Sequence, residues 1–166
     1  VWATGFHADR FLWPMELIGR GGARLSEEWQ GTPSAFLGIA LPKFPNLFCL
    51  YGPNTNVAHT ANVIFISECQ ATFIMRAIEW MLDDSLAAVE CAPAAASAYE
   101  QRLSGELETL VWSHPNVHSF YRNAAGRVVV NMPWKAVDYW RWTRDFDAGD
   151  FVATAASGTD WTGRAP

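Results

Sequence analysis

Apolar and polar positions alternate with a helical period in three stretches of the chain. The clearest covers residues 59–83, where Glu68, Thr72, Arg76, Glu79 and Asp83 step by four, four, three and four. That spacing draws one solvent stripe on a 3.6-residue period. Val63, Ile66, Ile74, Ala77, Ile78 and Met81 lie opposite and should face a core. A second helix is expected over residues 93–112, with Pro93 in the first turn, where its missing N–H costs nothing. Tyr99, Leu103, Leu107 and Leu110 form its apolar side, and Pro115 closes it. The segment PWKAVDYWRWTRDF predicts a third helix, with Pro133 near its start.

Shorter apolar runs bounded by Gly, Pro and Asn predict strands. They are VWATGF at the start, residues 16–19, AFLGIAL, NLFCLYG, AAVEC and RVVVN. Helices and strands together make an α/β piece with mixed strands and three main helices. From Ala148 the residues become small and polar, which predicts a frayed tail. The organisation expected is therefore one unit over residues 1–151 and a flexible tail over 152–166.

With half its residues hydrophobic and 17% charged, the chain is not disordered. Its net charge of -5 gives no electrostatic case for nucleic acid or an anionic membrane. No apolar run reaches the roughly 18–20 residues of a transmembrane helix. Cys49, Cys69 and Cys91 form no C-x-x-C pair, which argues for a reducing compartment, and a cytoplasmic location is expected. Among His7, His59, His114 and His118 only the last two are closely spaced. Pro115 between them disfavours a helical ligand pair, so no metal is expected.

The strongest candidate site is the turn Gly52, Pro53, Asn54, Thr55 and Asn56, read as lying at the mouth of the 59–83 helix. A helix start leaves N–H groups unpaired and carries roughly half a positive charge. Gly52 would let backbone approach a ligand, and Asn and Thr add caps and donors. A phosphate, carbonyl or electron-rich ring edge would suit it; a capped helix start without ligand fits the same letters. Gly19–Gly22, GRGG, fails as a dinucleotide motif because Arg24 stands where the third glycine belongs, so a solvated turn is favoured. Ser67 and Ser113 lack a nucleophile elbow, and His59 reads as a hydrogen-bonded histidine. Trp134, Trp140 and Trp142 with Tyr139 offer walls for an aromatic substrate, although helical spacing turns Trp140 away from the other two.

Several segments in order resemble a known family: VWATGFHAD, LGIALPKFPNLFCLYGPNTN, SECQ within the helix, WSHPNVHSFYRNAAGRVVVNMPW and DYWRWTRDFD. Together, from Val1 to about Phe151, they resemble the C-terminal part of FAD-containing Baeyer–Villiger monooxygenases. The nearest likeness is to the 4-hydroxyacetophenone monooxygenase-like members. The resemblance implies part of a fold with two dinucleotide-binding domains, for FAD and NADPH. It also implies a reaction in which O2 forms a flavin C4a-peroxide that attacks a ketone; related flavoproteins oxygenate N or S instead. By the same resemblance, Thr4 and Gly5 fall where the chain returns to the FAD domain. Gly52, Pro53, Asn54, Thr55 and Asn56 match the turn against the isoalloxazine, where a helix N-terminus faces the pyrimidine edge of the ring. Trp134 falls near the substrate wall. Both G-x-G-x-x-G motifs, the family fingerprint and the catalytic residues are missing and are expected ahead of Val1, in an absent N-terminal part. The 166 residues alone should bind flavin weakly or not at all and should not turn over. Bulky residues at Asn54 and Thr55 should harm flavin chemistry more than folding. A non-catalytic binding module derived from such an enzyme is the reading of another class.

Overall fold

A computed structural model describes residues 7–57, 61–117 and 119–156. Its elements are a short helix α1 (Leu25–Trp29), a long helix α2 (Val63–Asp83), strand β1 (Leu86–Cys91), helix α3 (Pro93–Glu108), helix α4 (Ala136–Arg144) and strand β2 (Phe151–Ala155). The expected three main helices are α2, α3 and α4.

Helix α2 starts where Asn62 caps it, its side chain accepting from Phe65 N at 2.9 Å. That is later than the expected start at 59, and residues 58–60 lie outside the described ones. The predicted polar stripe from Glu68 to Asp83 is exposed throughout. Ile66, Cys69, Gln70, Phe73 and Ala77 make the buried face. The core thus sits rotated from the expected stripe: Ile66 and Ala77 are buried as expected, while Val63 and Ile78 are exposed. Ile64, Met75, Ile78 and Leu82 form a second apolar face that nothing covers among the described residues.

Helix α3 begins at Pro93 as expected and buries Tyr99, Leu103 and Leu107, one residue per turn. It ends at Glu108, and Trp112 belongs to the separate 3-10 turn Val111–Ser113. Helix α4 begins at Ala136, so Pro133 precedes it by three residues instead of starting it.

The strand predictions fare differently. AAVEC lies within β1. The other described runs form only isolated bridges: Ile18 with Arg24, Phe36 with Ala40, Ala40 with Phe48, Asn56 with Asn131, and Arg122 with Val128. VWATGF lies outside the described residues. The 35–52 stretch is broken by left-handed residues, Leu37, Gly38, Lys43, Asn46 and Tyr51, all with φ between 52° and 69°. One such residue turns an extended chain, so apolar runs here become buried coils and not strands.

The expected tail is corrected over residues 152–155. Phe151–Ala155 pairs antiparallel with β1, with Cys91 opposite Phe151 and Val89 opposite Ala153. Phe151 anchors it: its ring packs 5.2 Å from Phe146 and 6.0 Å from Phe73. Burying one large aromatic outweighs the small polar residues around it. The main core joins α2, α3, α4 and this strand pair through Ile66, Phe73, Val89, Leu103, Tyr139 and Phe151. A smaller cluster of Leu25, Ala35, Leu41, Phe44 and Cys49 fastens the N-terminal loops.

Candidate functional site

The 51–56 bend is made by two left-handed residues, Tyr51 (φ 54°) and Asn54 (φ 55°), on either side of Gly52 and Pro53. Gly52 is needed for internal packing. A Cβ there would meet the Gly38 carbonyl at 2.3 Å, and one on Gly38 would meet Thr55 Cγ2 at 2.1 Å. The two glycines let two turns of this chain touch, so the close approach first ascribed to a ligand is taken up by the protein itself.

The polar groups of the bend are likewise engaged. Asn54 Nδ2 donates to Val128 O at 3.0 Å and Asn131 O at 3.1 Å. Thr55 Oγ1 donates to Gly52 O at 2.7 Å. Asn56 Nδ2 donates to Asn131 Oδ1 at 2.6 Å, and Tyr51 Oη donates to Asn56 Oδ1 at 2.7 Å. The backbone joins in: Asn54 N to Val129 O, Asn56 N to Val130 O, and Met132 N to Asn56 O, at 2.9–3.0 Å. Asn54 and Thr55 are 4% and 0% exposed, so these side chains brace the bend against residues 128–132. Bulky replacements at 54 and 55 therefore strike folding first, the reverse of the order expected from sequence.

The bend is also not the first turn of the helix. Residues 57–62 separate them, and α2 opens at Asn62. Of its first amides, Phe65 N is taken by Asn62 Oδ1 and Ile66 N by Asn62 O. Val63 N and Ile64 N have no acceptor among the described residues, and both residues are exposed. Beside this mouth lies a mainly apolar cavity of about 430 Å³, walled by Ala61, Asn62, Phe65, Ala136, Val137 and Trp140. A second apolar cavity, about 290 Å³, touches the bend itself between residues 11–17 and 47–53.

Other expected site residues scatter. Thr4, Gly5, His59 and His118 lie outside the described residues. Trp134 is 9% exposed, packed 5.6 Å from Tyr99 and 5.0 Å, edge-on, from Trp142, with the Arg102 guanidinium stacked over both indoles. It is a core residue between α3 and α4. Trp140 points elsewhere, as its spacing required, with Arg144 over its ring. In GRGG, Arg20 pairs with the buried Glu90, and a Cβ on Gly19 would collide with Lys43 O, so the stretch is a structural turn. No group of three potential metal ligands occurs among the described residues, and no helix there is long and apolar enough to cross a membrane.

Two residues of the site have roles that the sequence does not announce: Gln70, and Tyr139, which is expected there only as a pocket wall. Gln70 is fully buried on α2; its Oε1 accepts from Tyr51 N at 2.6 Å and its Nε2 donates to Tyr139 Oη at 2.9 Å. Tyr139, also fully buried, donates to Leu37 O at 2.6 Å. Burial, above all else, holds its phenol well above the ordinary range, so the hydroxyl stays a donor. The available signal was a polar residue between Ile66 and Phe73 on the face the helical period turns inward.

No family model matches the chain. It is 35% identical over 150 residues to an uncharacterized monooxygenase of Sinorhizobium fredii, covering 90% of this chain and 23% of that protein. An FAD-binding monooxygenase of Aspergillus niger is 31% identical over 156 residues, 92% of this chain and 26% of its own. A Baeyer–Villiger monooxygenase of Pseudomonas aeruginosa is 30% identical over 155 residues, 93% and 29%. Among solved structures, an oxidized steroid monooxygenase bound to NADP superposes with a TM-score of 0.71 at 25% identity, over 85% of this chain and 27% of that one. A closed cyclohexanone monooxygenase gives 0.71 at 20% identity, over 86% and 27%, a likeness of fold. The chain spans about a quarter of the length of the curated relatives it matches.

Proposed function

The chain belongs to the Baeyer–Villiger-type FAD-binding monooxygenases, and from that membership we propose that it walls the flavin edge of an NADPH- and O2-dependent enzyme that inserts oxygen beside a ketone carbonyl. The rest of that enzyme is the natural cover for the second apolar face of α2, Ile64, Met75, Ile78 and Leu82. Three thiols without disulfide partners suit a reducing, cytoplasmic setting.

The residues present fit one edge of FAD and not its phosphates. The 166 residues contain no G-x-G-x-x-G, so the phosphate cradle belongs to other parts of the protein. The α2 mouth does fit a ring edge. Val63 N and Ile64 N are free of acceptors among the described residues, and the helix end carries partial positive charge. The adjoining cavity is apolar and the right scale for a flat ring system. When bound, FAD supplies the redox and oxygen-transfer chemistry. This chain's part is to orient and to exclude water. The Val63 and Ile64 amides would receive an electron-rich edge, and their field favours negative charge on it. Phe65, Val137 and Trp140 would keep the space dry. The braced 51–56 bend stands behind as a strut, so Asn54, Thr55 and Asn56 support the site without touching the ring through their side chains.

The observation that carries this reading is a pair of first-turn amides, Val63 N and Ile64 N, without acceptors among the described residues, next to an apolar cavity walled by Ala61, Asn62 and Phe65 at the start of a 21-residue helix. The test is Val63→Glu in the holoprotein, at an exposed first-turn position that lies off the second apolar face. A carboxylate in the first turn should make flavin reduction less favourable, lowering the midpoint potential. An unchanged potential refutes the placement. Product analysis with an aryl ketone, an amine and a thioether tests the reaction: an ester supports it, and N- or S-oxide alone replaces it with heteroatom oxygenation.

A further inference from the structure

We propose that Gln70 is a positioning residue that locks the 51–56 bend to α2, and thereby sets the seat for the flavin edge at that helix's mouth; the inference rests on the reading above.

Gln70 occupies a core position of α2, between Ile66, Phe73 and Ala77, and is 0% exposed. Leu or Met would fill that place with no amide to satisfy. A buried amide is costly unless its groups are bonded. Here both ends are used, and in opposite directions: Oε1 to the bend through Tyr51 N, Nε2 to α4 through Tyr139 Oη. The amide's orientation follows from its partners. Tyr51 N–H can only donate, so it faces the oxygen. Tyr139 spends its proton on Leu37 O, so it accepts, and the nitrogen faces it.

These bonds close a circuit. Gln70 holds Tyr51; Gly52 rests on Gly38 O; Gly38 follows Leu37; Leu37 O receives Tyr139; Tyr139 receives Gln70. Among the described residues, Gln70 is the one α2 side chain hydrogen-bonded to the bend. Gln70 thus ties the bend directly to the helix that Asn62 caps. Removing Gln70 leaves the bend braced on residues 128–132 but untied from α2, so the mouth loses its fixed relation to the strut. A polar group kept against the apolar pattern of a helix face marks a site where geometry matters more than packing.

The experiment uses the holoprotein with Gln70→Leu and Tyr139→Phe. The first keeps apolar volume and removes both of Gln70's bonds; the second keeps the ring and removes one of them, together with the bond to Leu37 O. FAD dissociation constant, flavin midpoint potential, melting temperature and amide exchange at Tyr51 are measured. For Gln70→Leu we expect FAD binding weakened about tenfold, the size of one lost buried hydrogen bond. A shifted potential and faster exchange at Tyr51 should accompany it. Tyr139→Phe should move the same quantities in the same direction, by less. A purely structural role would lower the melting temperature and leave the potential unmoved, and that result overturns the proposal. If Gln70→Leu does not fold, Tyr139→Phe decides by the same readouts. Val63→Glu separates the two ideas. A shift there with none in Gln70→Leu defeats Gln70 alone, whereas no shift in either defeats the helix-mouth reading and Gln70 with it.

Discussion

Replacing Gly38 and Gly126 by alanine, one at a time, measures the contact on which the bend depends. Both have left-handed backbones, φ +68° and +78°. Around Gly126 a Cβ meets nothing within 4 Å, while at Gly38 it meets Thr55 Cγ2 at 2.1 Å and Pro53 O at 2.8 Å. Alanine at Gly126 thus carries only the backbone penalty, about 1–2 kcal/mol. At Gly38 the carbon contact must open to the ~3.5–4.0 Å of normal packing. Overpacking of that kind adds about 1–3 kcal/mol, for a total of about 2–5 kcal/mol. Urea unfolding followed by tryptophan fluorescence gives both values. Thr55→Ser removes Cγ2, retains the hydroxyl bonded to Gly52 O, and should recover part of the Gly38→Ala loss in a double-mutant cycle. Equal losses at the two glycines, or additivity with Thr55→Ser, would refute the account of the bend.

Asn54→Gly keeps the left-handed backbone and deletes the bonds to Val128 O and Asn131 O; about 2 kcal/mol of stability should be lost in the same unfolding assay. The thiols should resist iodoacetamide at pH 8, at least about a hundredfold more than in urea, because all three are buried and a thiolate is the reacting species. Burial pushes the Cys91 thiol to about 12, so it should be slow even at high pH; prompt labelling of the folded protein would contradict this. Burial, and then Asp147, raise the Asp150 carboxyl above its ordinary 3.8. Folding therefore favours its protonated form, and that stability is full below the ordinary value and lost as pH rises through the raised one. Asp150→Asn should raise the melting temperature at pH 7 and leave it unchanged near pH 3.

Much of the helical framework was legible. The 3.6-residue stripe found α2, and Pro93 marked the start of α3, because both signals are local. Strands were less so. AFLGIAL and NLFCLYG have the composition of buried strands, yet left-handed Leu37, Asn46 and Tyr51 fold them into coil, and no rule of composition puts φ > 0 on leucine or tyrosine. Phe151 shows the converse: a segment with the composition of a tail is a strand because its one large ring is buried against Phe73 and Phe146. At the site, the letters of Gly52 to Asn56 announced an unusual bend correctly but not what it grips.

From its letters alone the chain could be assigned to its enzyme family and to three amphipathic helices, since segment order and helical period are written along a line. Which groups satisfy the buried amides was decided only in three dimensions. Asn54 finds its acceptors 74 and 77 residues away, and Gln70 reaches Tyr139 across 69. A polar side chain binds ligand or protein according to what burial places within about 3 Å of it, and that distance is a property of the packed fold.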